Sequence, residues 1–458
     1  MDLKEKIADE TEEEMRARQA KAALDPQRPL YHYQPPPSWM NDPIPFFWKG
    51  HYHVFNQHSP KGRPWWCDMN WSHAVSEDLA HWTYLSTALS PTPGGPDKDG
   101  CFTGCVVDHD GVPTIMYTGV NPEVQCLATS EDMIEWGKYP ANPVIAGPPK
   151  GLTVVGFRDP CAWKEGDAWY AIIGSGIEGV GGISLLYKSE DMVRWEYMHP
   201  LYEPDKTPGR GMHECPDFFP LDGKHILLTS AVGTHWDVGT YADHKFTSEK
   251  HGRIDRGNYY AAKTILDGRG RRIIWGWIQE GRPQDEATAA GWSGVLSLPR
   301  ILKVLPDDSL GVEPVPELET LRGNHWSYRD VKISGTELLD GIEGDCIEVL
   351  VKFAPGGGRE FGIILQGSDR ISYDREKGQV VGAPLNLSPD EEMTLRVYVD
   401  RSVTEIFANG RVSRTLRTYH KPGDDKGVRL FTSGGSLSVE SIDVWEIKAA
   451  PVKYLGGI

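Results

Sequence analysis

Three carboxylates stand just ahead of prolines: Asp42 in Asn41-Asp42-Pro43, Asp159 in Arg158-Asp159-Pro160 and Glu214 in Glu214-Cys215-Pro216. Proline fixes φ and removes a backbone donor, so each acid belongs to a stiffened turn. Trp39 and Phe157 stand close upstream of two of them. Acids held in this way suit the hydrolysis of a glycosidic bond. One carboxyl attacks or steadies an oxocarbenium-like carbon, and another protonates the leaving oxygen. Asp-Pro by itself is an ordinary turn dipeptide; the three acids in their full contexts carry the chemistry.

Acids this far apart need a scaffold that gathers them, and a repeat supplies one. A short pattern occurs three times: Ser76-Glu77-Asp78 leading to Trp82, Ser130-Glu131-Asp132 leading to Trp136, and Ser189-Glu190-Asp191 leading to Trp195. The starts are 54 and 59 residues apart, a period that argues for a solenoid or a propeller. Apolar, strand-like runs at 51–55, 112–117 and 169–173 precede the three copies in turn, each followed by Gly- or Pro-rich turns. Four-stranded blades around an axis fit this better than stacked helices. Phe102, Asp159, Glu214 and Tyr260 follow Asp42 at gaps of 60, 57, 55 and 46. These steps predict five blades whose innermost strands converge on one axial funnel.

The pattern stops after Leu298-Pro299-Arg300. Alternating runs at 347–353, 361–365, 395–400 and 404–407, broken by Gly and Asp turns, indicate a β-sandwich. The predicted organisation is all-β: an N-terminal helical extension over 1–28, a five-bladed propeller over 29–305, a turn-rich linker over 306–323 and a sandwich over 324–458. In the extension, Glu12–Arg16 and Glu14–Arg18 are i,i+4 pairs and Asp25-Pro26 is a stop, so a short solvent-facing helix is expected.

With 458 residues the chain has material for two or more domains. Gly 50 and Pro 34 make it turn-rich, and Trp 16 with Tyr 18 offers aromatic faces to sugar rings or to a β core. A net charge of −17 argues against nucleic acid or an acidic membrane as partner and favours a neutral substrate. No run approaches a membrane span, and residues 1–24 lack the apolar core of a secretory signal. The seven cysteines are scattered and have no accompanying His/Cys cluster, so neither a zinc site nor any other metal is expected. Free thiols in a reducing, cytoplasmic compartment is the simpler reading. A homo-oligomer is compatible with all of this.

Taken in order, the motifs resemble glycoside hydrolase family 32, the invertases and fructan hydrolases, over about residues 31–448. They are Trp39-Met40-Asn41-Asp42-Pro43, Asn70-Trp71-Ser72, Cys101-Phe102-Thr103-Gly104, Phe157-Arg158-Asp159-Pro160, Glu214-Cys215-Pro216, Tyr259-Tyr260-Ala261, Trp275-Gly276-Trp277 and Leu298-Pro299-Arg300. The stretch from Val399-Asp400-Arg401 to Glu405-Ile406-Phe407 resembles the family's sandwich signature.

The resemblance implies a five-bladed propeller with a sandwich, and a retaining, exo-acting β-fructofuranosidase without metal or organic cofactor. It implies Asp42 as nucleophile, Glu214 as acid and then base, and Asp159 as transition-state stabiliser assisted by Arg158. It further implies that Asn41 and Gln57 bind fructose hydroxyls and that Trp65 or Trp66, Phe102, Tyr260 and Trp277 wall the pocket. Thr103 keeps a hydroxyl where the family usually has serine, and Cys215 packs against Glu214. Arg158 beside Asp159 is expected to keep that carboxylate ionised. One departure stands out: Ile44-Pro45 replaces the usual Asn-Gly, which is expected to reshape the funnel beside the nucleophile. Other readings are a fructosyltransferase of the same family, an inverting five-bladed arabinanase or xylosidase, whose motifs fit less well, and a non-catalytic carbohydrate-binding propeller.

Overall fold

The computed structural model describes residues 12–59, 68–202, 211–367, 369–421 and 423–454. Five sheets, each built on an antiparallel meander, are laid down in chain order. The first comprises Trp39–Trp48, His51–Ser59, Asn70–Ser76 and Thr83–Leu89, with the short C-terminal Lys453–Tyr454 added parallel to the last of these. The second comprises Cys101–His109, Val112–Gly119, Val124–Thr129 and Gly137–Lys138. Phe157–Glu165, Ala168–Ile177, Gly181–Ser189 and Trp195–Tyr202 make the third. Glu214–Leu221, Lys224–Ser230, Thr234–Ala242 and Lys245–Arg253 make the fourth. The fifth is Tyr259–Leu266, Arg272–Ile278, Arg300–Val304 and Leu310–Pro314, with Val295–Leu296 added to its second strand. Each sheet's first strand packs beside the next sheet's first strand, and the fifth returns to the first. Among the described residues no strand is shared between the fifth sheet and the first to seal this ring. A bridge from Trp39 to Ser293 spans that junction, with Met40 N–H donating to Ser293 O at 3.1 Å.

The Ser-Glu-Asp repeat proves to be the turn between third and fourth strands. In the second sheet Ser130 Oγ accepts the Met133 N–H at 2.9 Å, while Asp132 Oδ1 accepts those of Ile134 and Glu135 at 2.8 and 2.9 Å. Asp78 and Asp191 do the same work in the first and third sheets. Leu79, Met133 and Met192 share a left-handed backbone, at φ 65°, 65° and 60°. The side-chain oxygens satisfy turn N–H groups that a sheet ladder no longer reaches.

All five innermost strands carry a β-bulge near the same end, after Met40, Phe102, Arg158, Glu214 and Tyr260. In the third, fourth and fifth sheets the next residue has φ 63° (Asp159), 47° (Cys215) and 54° (Ala261). Glu214 is therefore equivalent to Arg158 and Tyr260, one residue earlier than the even-gap count that paired it with Asp159. The prolines belong here because an innermost strand is a sheet edge. Pro43, Pro160 and Pro216 lose no ladder hydrogen bond on the open side or inside a bulge.

Residues 306–323 were expected to be a linker, but Leu310–Pro314 forms the outer strand of the fifth sheet, followed by a 3₁₀ turn at Pro316–Leu321. The C-terminal domain is two six-stranded sheets face to face, starting with Arg322–Ile333, around one apolar core. The N-terminal helix is Glu12–Ala23. Its described side chains are mostly exposed, but Ala22 is buried against Ile278, Trp292, Val295 and Val403. The side chains of Glu12 and Glu14 lie outside the described residues.

A buried polar cluster fastens the two domains. Arg300 donates through Nε and Nη2 to Glu405 Oε2 at 3.0 and 2.6 Å and through Nη1 to Asp255 Oδ2 at 3.0 Å. His32 lies between Asp400 Oδ2, at 2.8 Å, and Glu405 Oε1, at 3.1 Å. Asp400 also accepts the N–H groups of Leu30, Tyr31 and His32. Asp400 and Glu405 come from the sandwich signature and Arg300 from Leu298-Pro299-Arg300, so these distant motifs form one contact.

Candidate active site

The bulges deliver their side chains to one cavity of about 240 Å³ on the axis. Its lining includes Asp42, Asp159 and Glu214 with Asn41, Gln57, Phe102, Arg158, Cys215, Tyr260 and Trp277. Trp65 and Trp66 lie outside the described residues. Gln279 also lines the cavity. It lies one residue past the Arg272–Ile278 strand and belongs to no sequence motif.

Asp42 sits at the end of a directional chain. The Asn41 amide donates to Gln57 Oε1 at 3.1 Å, the Gln57 amide to Thr103 Oγ1 at 2.5 Å, and the Thr103 hydroxyl to Asp42 Oδ2 at 2.6 Å. Thr103 stands behind Asp42 rather than on the cavity wall, and its hydroxyl is already committed there. Asn41 Oδ1 is buried without a protein partner and its residue lines the cavity, which suits an acceptor for a substrate hydroxyl. The Cys215 thiol also reaches Asp42 Oδ2, at 3.3 Å, and Asp159 Oδ2, at 3.5 Å. It thus bridges the two aspartates instead of tuning Glu214. Burial, then the charges of Asp159 and Asp42, push this thiol well up, so it stays a donor.

Asp159 is almost fully buried. It accepts the Cys215 N–H at 2.9 Å, and its own N–H goes to Thr118 Oγ1 at 3.0 Å. Burial pushes its carboxyl up to about 7; Arg158 opposes the rise, while Asp42 and Glu214 add to it. The expectation that Arg158 keeps it ionised fails because desolvation wins. The guanidinium also makes its hydrogen bonds elsewhere: Nη1 donates to Glu123 Oε1 at 2.8 Å and Nη2 to Glu214 Oε1 at 2.5 Å. Burial raises Asp42 too, against its Thr103 and Cys215 hydrogen bonds, with Glu214 adding to the rise. Glu214 receives a second donor on Oε2 from the Tyr260 hydroxyl. The Tyr260 ring lies edge-on to Trp277, 6.4 Å between centroids.

Ile44 and Pro45 do not reshape this cavity. They line a separate one of about 580 Å³ formed by the later halves of the innermost strands, with Lys263 and Arg272.

Comparison with known proteins decides the family. The Glycosyl hydrolases family 32 N-terminal domain matches residues 32–314, and the Glycosyl hydrolases family 32 C terminal domain matches residues 317–446. The chain belongs to glycoside hydrolase family 32. This family 32 enzyme is 30% identical to sucrose-6-phosphate hydrolase of Escherichia coli, over 92% of this chain and 94% of that protein. It is 35% identical to fructan 6-exohydrolase of Beta vulgaris, over 93% and 88%. The structure of fructan 1-exohydrolase IIa from Cichorium intybus superposes with a TM-score of 0.84 at 27% identity, over 94% of this chain and 99% of that one. The enzyme is a glycoside hydrolase acting on fructosides, an exo-β-fructofuranosidase with the propeller-and-sandwich architecture of its relatives.

Proposed function

We propose that the enzyme releases terminal, non-reducing β-D-fructofuranosyl residues from sucrose or short fructans with retention. The observation that carries this is the opening of Asp42 and Glu214 into one small cavity, one steadied by Thr103 and Cys215, the other by Arg158 and Tyr260. In the first step Asp42 attacks the anomeric carbon while Glu214 gives its proton to the glycosidic oxygen, so the aglycone leaves and a fructosyl ester remains. In the second, Glu214 takes a proton from water, whose oxygen displaces Asp42 and frees fructose. A pair with these roles works at about 5–5.5 Å. Asp159, held rigidly by Cys215, is suited to grip fructose hydroxyls, with Asn41 and Gln57 beside it.

The cavity size supports exo action. About 240 Å³ is below the roughly 300–1,000 Å³ of pockets for larger ligands, room for one sugar ring and not for a chain running through. Arg158 is the sole cation lining it among the described residues, and Glu123 and Glu214 engage it. The free state of six described cysteines supports a reducing compartment.

Wild type and Glu214→Gln, each incubated with sucrose, sucrose 6-phosphate, kestose, inulin and levan, test the reading. Wild type is expected to release fructose fastest from sucrose or kestose, and the variant to be slower by at least about a hundredfold. No fructose from any of the neutral substrates would contradict it.

A further inference from the structure

Glu123 has no part in the steps above and does not line the cavity. It follows the second sheet's Val112–Gly119 strand in the turn to Val124–Thr129, yet both its oxygens serve the third sheet. Oε1 accepts from Arg158 Nη1 at 2.8 Å, and Oε2 accepts the Phe157 N–H. The other arm of Arg158, Nη2, donates to Glu214 Oε1 at 2.5 Å. One guanidinium therefore spans two carboxylates, one inside the cavity and one behind it. Gln125 ties the same junction, its amide donating to Phe157 O and its carbonyl accepting from Thr118, both at 2.8 Å. Thr118 in turn takes the Asp159 N–H.

The guanidinium is a rigid, planar fork, so fixing one arm sets the plane and reach of the other. The Glu123–Arg158 pair is about a quarter exposed on each side, and a pair of that exposure adds little to stability. Its consequence falls on Glu214. We infer that Glu123 is a positioning residue: by fixing one arm of Arg158 it aims the other at Glu214, and it shares the Arg158 charge. Without Glu123 the fork is free to turn, and its undivided charge acts on the cavity acids, Asp159 among them, whose carboxyl Arg158 already pulls downward against burial. The inference rests on Glu214 being the acid of the proposed mechanism.

The test is the pH dependence of kcat and kcat/KM for Glu123→Gln and Glu123→Asp, on the fructoside that wild type cleaves best. Glu123→Gln is expected to lose about tenfold to a hundredfold in kcat, as for a lost charged hydrogen bond. Its KM should stay within about threefold, and its alkaline limb should move to lower pH by about half a unit or more. Glu123→Asp keeps the charge but shortens the reach to Arg158, so its limb stays in place and its kcat falls by about threefold to tenfold. A Glu123→Gln limb at the wild-type position overturns the inference, as does a raised KM with kcat retained, which marks a direct substrate contact. Should the glutamine variant not fold, Glu123→Asp is read alone, and wild-type kcat in it overturns the inference. Wild type inactive on every fructoside sinks the proposed mechanism instead, and this role with it.

Discussion

Two clusters in this enzyme each hold three carboxylates, and they are built in opposite ways. Between the domains, Asp255, Asp400 and Glu405 surround Arg300 and His32, with all five side chains fully buried. Despite burial, His32 holds Asp400 below the usual carboxylate range, and Arg300 with His32 does the same for Glu405. On the funnel floor, Asp42, Asp159 and Glu214 share one cation, Arg158, which divides its hydrogen bonds between Glu214 and Glu123. Burial pushes Asp42 and Asp159 up, and the neighbouring acids add to the rise. Matched cations make the first cluster a fastening. The unmatched acids of the second are an electrostatic cost, kept where proton transfer and charge development need it.

Activity should break first and most deeply. Asp42→Asn and Glu214→Gln are each expected to lose at least about two to three orders of magnitude in turnover, with melting temperatures near wild type. Near-normal rates in either would erase the distinction between the clusters. At the fastening, Arg300→Met leaves Glu405 and Asp255 buried without their cation and is expected to cost about 3–5 kcal/mol in denaturant unfolding. The contrast sharpens with Asp159→Asn, which removes both activity and a buried charge. Asp159 titrates higher folded than unfolded, so its contribution to stability is complete below about pH 4 and lost as pH rises through about 7. Asp159→Asn should therefore be more stable than wild type at pH 8, on the order of 4 kcal/mol, and no more stable at pH 3.5. A smaller effect concerns His32, raised to about 9 by its hydrogen bonds to Asp400 and Glu405, which outweigh burial. Its stabilisation is complete below about pH 6.5 and fades through about 9. His32→Gln should be less stable at pH 6, with the gap to wild type narrowing by pH 10.

The blade count and the three acids were legible because both leave a periodic or motif-level trace. Ser76, Ser130 and Ser189 mark the same turn in three sheets, and each acid stands near a proline that only an edge strand or bulge tolerates. The bulges themselves leave no such trace. One extra residue per strand moves Glu214 into register with Arg158 and Tyr260, and an even-gap count absorbs that shift unnoticed. The second role of the sandwich signature was hidden for a different reason. Asp400 and Glu405 find their partners, His32 and Arg300, more than a hundred residues away, where no spacing rule reaches. Glu123 and Gln279 are single polar residues, visible only once the sheets are placed. Ile44-Pro45 misled because the strand runs on past the site, so these two residues meet the other cavity.

The stereochemistry of transfer tests most directly whether Asp42 and Glu214 act as one retaining pair. In aqueous methanol with sucrose, wild type is expected to form methyl β-D-fructofuranoside, identified by NMR before it is itself cleaved. Methyl α-D-fructofuranoside as the first product would mean a single displacement with inversion and would contradict the account.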